Sequence, residues 1–167
     1  SIRILKNSGW YFISFNNFNE LKNKLNSMFS KLNYFSRKKI NLNLNKPVKE
    51  KYENKLKIDF SDIQMQDKLD CCVNYNKILL KNKKLTSTHI VYRDNVCREK
   101  LITSEGVEIS SKIKFCGISI SAVAKEGMNV QSAYYGVGDL SGYQIVLNLE
   151  EKCEEVSRKT IELLKAK

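Results

Sequence analysis

At 167 residues, with 42% apolar and 28% charged content, the chain is long enough for one domain with a substantial core. Its formal charge of +11 is the compositional extreme and points toward nucleic acid, acidic lipid or an acidic partner. No apolar run approaches a membrane span and no small-residue cleavage site marks a signal peptide, so a cytoplasmic chain without membrane contact is expected.

Ser1 in place of methionine reads as a processed start or the interior of a longer product. Ile2 to Leu5 alternates as a strand, Asn7-Ser8-Gly9 turns, and Trp10 to Phe15 is a second strand, together a hairpin. Asn16 or Asn17 caps a helix whose apolar side repeats at Phe18, Leu21, Leu25, Met28 or Phe29, and Leu32. Such an aromatic and methionine stripe is a packing face.

Residues 36–60 interrupt this pattern with a basic cluster (Arg37, Lys38, Lys39), an Asn-Leu repeat and the single proline, Pro47. They predict a polar connector ending in a short edge strand from Leu56 to Phe60. A connector of that length is either mobile or functional. Lysines alternate with asparagine across residues 19–57, which reads as a solvated surface more than a binding patch. A second helix opens at Ser61 or Asp62, with Ile63, Leu69, Cys72 or Val73, and Leu79 or Leu80 on its buried face.

The centre of the chain is strand-rich. Thr88, Ile90 and Tyr92 alternate with His89, Val91 and Arg93, and a polar break precedes Cys97 to Thr103. Ser104-Glu105-Gly106 then reverses the chain, Gly106 supplying the positive φ of a tight turn. Val107 to Ala124 returns as strand, with Ile118, Ile120 and Ala122 on one face. Lys125 to Asn129 turns into a further strand from Val130 to Val137, and Gly136, Gly138 and Gly142 read as a flexible loop. The last helix starts near Asn148, buries Leu149, Cys153, Val156, Thr160 and Leu163 or Leu164, and carries four glutamates in its first turns, where the helix dipole favours them. These elements predict an α+β fold, an antiparallel β-sheet with helices packed mainly on one face.

Reactive groups are few. The five cysteines, Cys71, Cys72, Cys97, Cys116 and Cys153, are odd in number and lack CxxC spacing, the pattern of free thiols in a reducing compartment. His89 is the only histidine and reads as a strand residue, so there is no spaced zinc pair, and it is the one imidazole that could serve a nucleophile as base. The lone Gly-x-Gly lacks a dinucleotide site's strand-to-helix setting. No catalytic residue and no metal ligand is assigned.

Four segments nevertheless resemble the amino-terminal domain of the TldD/PmbA metallopeptidases, also called modulators of DNA gyrase. They are the hairpin Ile2 to Phe15, the helix Lys68 to Leu80, the strand pair Val91-Tyr-Arg-Asp with Leu101-Ile-Thr-Ser-Glu-Gly-Val-Glu-Ile, and the run from Ala124 through Gln131–Gly136 to the helix Glu155–Ala166. The match spans nearly the whole chain as a single domain, 1–167, and Ser-Glu-Gly in its strand context is its most specific part. Tyr11, Ile13 and Ser14 depart from the glycine and alanine usual in the first hairpin. The family's opening helix is absent, and its HExxxH zinc helix and cysteine ligand lie in a carboxy-terminal domain that this chain does not include. The resemblance therefore implies a non-catalytic half that shapes a peptide-access cavity and supports dimerisation. No cofactor is expected in this chain; zinc is expected in the missing catalytic domain or a TldD/PmbA-type partner subunit. Unfolded peptide is the implied substrate, with Ser104, Glu105, Gly106, Tyr134 and Tyr135 as the residues that would touch it. The alternative from composition is a stand-alone basic nucleic-acid-binding module, and a degenerate structural remnant is a third reading.

Overall fold

A computed structural model describes residues 1–6, 9–31 and 46–166, arranged in two compact units, Ser1–Asn45 and Lys46–Lys167. In the first unit, β1 (Ile2–Lys6) and β2 (Gly9–Ile13) form an antiparallel hairpin with Ile2 opposite Ile13 and Lys6 opposite Gly9. The expected turn residues Asn7 and Ser8 lie outside the described residues. The Asn17 side chain accepts from the Asn19 N–H and opens a 3-10 turn, Phe18–Glu20, that leads into α1 (Leu21–Lys31). Met28 is buried on α1, while Phe18 and Phe29 are exposed, so the expected stripe is narrower than its aromatic content implied. Leu32 and residues 36–45 of the connector also fall outside the described residues.

The second unit is built on one long hairpin, β4 (Leu85–Ile102) against β5 (Glu108–Glu126). Pairing runs from Leu85 opposite Ala124 to Ile102 opposite Glu108, with a single irregularity at Leu85–Ser87. The polar break expected after Arg93 does not interrupt the strand: Asp94 and Asn95 stay in register opposite Cys116 and Phe115. Ladder hydrogen bonds are made by the backbone, so two polar side chains do not end a strand that a partner holds on one side.

The far side of β5 is shared by two strands. β6 (Asn129–Asp139) pairs antiparallel along Cys116–Glu126, and β3 (Lys49–Glu53) pairs parallel along Glu108–Lys112. The fold is α+β as expected, but β3 makes the sheet mixed. The short strand predicted at Leu56–Phe60 is instead this earlier one; Leu56–Phe60 leaves the sheet to start the helical layer. Asn54 closes the interval between β3 and β6. Its amide donates to the carbonyls of Lys114 (2.8 Å) and Leu140 (2.5 Å) and accepts from the Lys114 N–H (2.7 Å), replacing a ladder rung with a side chain. Gly136 and Gly138, expected in a loop, are residues of β6 paired with Ser119 and Gly117.

Asp59 accepts from the Ser61 N–H and caps a 3-10 turn, Phe60–Asp62, so α2 starts at Met65 and runs to Leu80, later than Ser61 or Asp62. Of the predicted face, Leu79 is buried and Ile63 and Cys72 pack against the core, while Leu69 and the alternatives Val73 and Leu80 are exposed; Tyr75 is buried in addition. The 3-10 turn Tyr143–Val146 leads to Asn148, at φ 58°, and then to α3 (Glu150–Lys165) with Cys153, Val156, Ser157 and Thr160 buried. The core lies between α2, α3 and one face of the sheet, where Cys116, Ile118, Ile120 and Ala122 alternate inward from β5. No helix among the described residues is long and apolar enough to cross a membrane.

Candidate functional site

The Ser104-Glu105-Gly106 turn is the tip of the β4–β5 hairpin. The Thr103 N–H donates to the Val107 carbonyl (3.0 Å), the Gly106 N–H donates to the Thr103 carbonyl (3.1 Å), and Gly106 sits at φ 90°, where a side chain would strain the backbone. Ser104 Oγ donates to Glu105 Oε1 at 2.7 Å, and this bond, with a second from Thr103, holds the exposed Glu105 carboxyl below its ordinary range. These interactions are internal to the turn and order its backbone.

Tyr134 and Tyr135 lie far from that tip. Tyr134 is opposite Ser121 on β5, whereas the hairpin's last pairs involve Ile109 and Glu108. The run from Ile109 to Ser121 spans about 40 Å at ~3.3 Å per residue. The two tyrosines also face opposite ways, because successive strand residues alternate. Tyr135 packs toward the core with Lys152 Nζ 5.5 Å from its ring centroid, while Tyr134 is 82% exposed on the other face. The sequence grouped five residues that the sheet distributes over two ends and two faces.

What the sheet does bring together is a row of side chains on the face opposite the helices. His89, Ser121 and Tyr134 are cross-strand neighbours on β4, β5 and β6. His89 is exposed, and Ser121 Oγ donates to its carbonyl at 3.1 Å. The next rows are Val91–Ser119–Gly136 and Arg93–Gly117–Gly138. The Phe115 ring lies against Gly117 and Gly138: a Cβ on Gly138 would stand 2.7 Å from Phe115 Cζ, so glycine is what lets the ring approach β6. The result is a low track of glycine and serine bordered by Tyr134 and Phe115. Side chains this small leave backbone within reach of an extended ligand. The outer edge of β6 has no strand partner among the described residues.

The opposite face carries buried polar groups that hold the layers together. Tyr75 Oη donates to the Val146 carbonyl (2.7 Å) and accepts from the Leu149 N–H (3.2 Å), tying α2 to the start of α3. Burial pushes its phenol well above the usual range. Lys68 reaches from α2 to Asp94 on β4 at 2.6 Å, with its ammonium 5.5 Å from the Phe60 and Tyr92 ring centroids. Burial, then the Asp94 carboxylate, raises the Tyr92 phenol. Lys114 pairs with Asp59, which together with the Ser61 N–H holds the Asp59 carboxyl at about 2. Sequence reasoning missed Asn54, Tyr75 and this Lys68–Asp94 pair, because each is defined by a partner more than twenty residues away.

Catalytic chemistry is sparse in this geometry. Among the described residues no three His, Cys, Asp or Glu side chains converge to hold a metal ion, so the side chains present do not fit a zinc site. All five cysteines are free, Cys116 and Cys153 buried, and burial pushes the Cys153 thiol up to about 11, away from thiolate reactivity. Several lysines along the sheet are already paired, Lys112 with Glu53 (2.6 Å) and Lys100 with Glu108 (2.7 Å), so the far sheet is an interleaved ladder of both charges.

Three comparisons converge on one family. Residues 58–167 match the family model described as the PmbA/TldA metallopeptidase central domain. A metalloprotease of Synechocystis sp. is 27% identical over 165 residues, covering 98% of this chain and 36% of the relative. A metalloprotease of Methanocaldococcus jannaschii is 28% identical over 172 residues, covering 100% of this chain and 38% of the relative. The chain thus spans little more than a third of the length of these curated relatives. The crystal structure of a Thermotoga maritima protein described as a modulator of DNA gyrase superposes with a TM-score of 0.69 at 16% identity, covering 99% of this chain and 37% of that one. It shares the fold. With the family model matching residues 58–167, the chain belongs to the PmbA/TldD metallopeptidase family.

Proposed function

We propose that this chain is a non-catalytic, substrate-handling part of a PmbA/TldD-type zinc metallopeptidase. It shapes the access route for unfolded peptide and supports association of two subunits, while a companion section or partner subunit carries the zinc. The observation that carries the reading is the face of the sheet opposite α2 and α3. There Tyr134 stands 82% exposed over the serine and glycine track, beside the edge of β6 that has no strand partner among the described residues. A strand edge offers N–H and C=O groups to any extended backbone, so it holds unfolded chains with little regard to sequence, and an adjacent aromatic ring adds apolar contact.

The test is reconstitution of this chain with a zinc-bearing companion, followed by cleavage of an unfolded peptide. Tyr134→Ala is expected to raise KM about fivefold, the loss of roughly 1 kcal/mol of aromatic contact, with kcat little changed. Identical KM values for wild type, Tyr134→Ala and Ser104→Ala would remove the peptide-handling role.

A further inference from the structure

The other long edge of the sheet, β4, also lacks a strand partner among the described residues. Three of its charged side chains, Arg93, Arg98 and Glu99, form no ion pair among the described residues, and Leu101 and Ile102 are 54% and 67% exposed. A long, uncovered edge with apolar residues at one end is a liability unless something pairs with it.

We infer that β4 pairs antiparallel with β4 of a second copy of this chain about a two-fold axis at Val96, joining two sheets into one. This rests on the association half of the function proposed above and supplies its geometry. The warrant is the self-complementarity of the strand. An isologous edge contact reads one sequence against its own reverse, so residue i meets j and j meets i. With the axis at Val96, Arg93 falls opposite Glu99 of the other copy and Asp94 falls opposite Arg98, each pair occurring twice. Val91 falls opposite Leu101 and Ile90 opposite Ile102. Directly opposed residues have Cβ atoms about 5 Å apart, close enough for each contact to count.

Neighbouring registers lose this match. An axis between two residues is excluded, because it would set side chains of opposite faces against each other. An axis at Asn95 sets Arg98 against Tyr92 and Glu99 against Val91, leaving the charges without partners. An axis at Cys97 keeps one complementary contact, Asp94 with Lys100. Only the Val96 register matches both charge signs and both apolar positions.

The exposed side of α2 fits the same arrangement. The helix runs antiparallel along β4, anchored by Lys68 to Asp94 (2.6 Å) at one end and Asn76 to Thr88 (2.7 Å) at the other. Tyr75 and Leu79 point into the core, and Lys68 and Asn76 point at β4. Another helical step carries Leu69 and Val73 past β4 to its outer side, where both are exposed, at 54% and 40%. A second β4 on that edge would run beneath them and bring its own Ile102 to Val73. This accounts for the apolar residues of α2 that the core does not use.

The test is sedimentation equilibrium of the full chain over a concentration series. The wild type is expected to dimerise. Arg93→Glu and Glu99→Arg, each placing like charges together twice, are expected to weaken the dimer about tenfold. The double variant restores both pairs with reversed sign and is expected to return near wild type, an outcome that a general loss of fold cannot imitate. Asn95→Cys sets a thiol opposite Cys97 of the other copy, so mild oxidation is expected to give a disulfide-linked dimer that Asn95→Cys/Cys97→Ser does not form. A monomer throughout, or a dimer indifferent to Arg93→Glu, or failure of the double variant to recover, would overturn the pairing. The readout is association alone. Failure here leaves the peptide-handling reading standing, and an unaltered KM in the cleavage assay leaves this one standing.

Discussion

The two halves of the β4–β5 hairpin share one register from Ser87 to Ile102 yet are held by different forces. Near the helices, the inward residues of β5 are Cys116, Ile118, Ile120, Ala122 and Ala124, all buried against the helical layer. Toward the tip the same face of the same strand carries Lys114, Lys112 and Glu108, paired with Asp59, Glu53 and Lys100, with Ser110 between them. The first half gains from removing apolar surface from water; the second depends on ladder hydrogen bonds and solvent-screened ion pairs. Continuity of backbone therefore does not imply uniform stability. The far half is expected to open locally at lower free energy, and amide exchange is expected to run faster at Ile109–Lys112 than at Ile118–Ala122.

Substitutions sharpen that contrast. Ile120→Ala removes a side chain with 0% exposure and is expected to cost about 2–5 kcal/mol in urea denaturation. Tyr75→Phe strands the Leu149 N–H and leaves the Val146 carbonyl only the weak Cys71 thiol, for about 1–3 kcal/mol, and a change below a few tenths would mean that water replaces the hydroxyl. In the far half, Asp59 is held at about 2 against an ordinary 3.8. A folded-state value below the unfolded one stabilises at pH above about 4 and is lost as pH falls toward 2, so Asp59→Asn is expected to flatten the acid limb of the stability curve. The smallest effect is expected at Ile102→Ala, where the side chain is 67% exposed: within about 0.5 kcal/mol for the monomer. A larger loss that grows with protein concentration would instead report the β4–β4 contact.

Much of the secondary structure was legible because it rests on periodicity. The alternation from Thr88 onward, the Ser-Glu-Gly reversal and the apolar repeat of Leu149, Cys153, Val156 and Thr160 are local patterns, and each appears as read. The misplacements have one cause. Lys49-Glu-Lys-Tyr-Glu has no apolar alternation, so nothing in it announces a strand; it becomes one because β5 offers a free edge there. Gly136 and Gly138 look like a loop, and become strand because β5 pairs with them, through Ser119 and Gly117. On α2, Leu69 and Val73 have the spacing of a buried face, but which side of a helix is buried depends on where its neighbours stand.

The sequence by itself determined the elements of the long hairpin, the α+β class and, through Ser104-Glu105-Gly106 in its strand context, the family. Those are properties of short stretches, in which spacing and turn chemistry act over a few residues. Only the tertiary structure decided that Tyr134 and Tyr135 face opposite ways, that Asn54 bridges two strands and that, among the described residues, β4 and β6 are edges. These follow from which strands meet across the sheet, and hydrogen bonds between residues sixty or more positions apart leave no periodic trace in the chain.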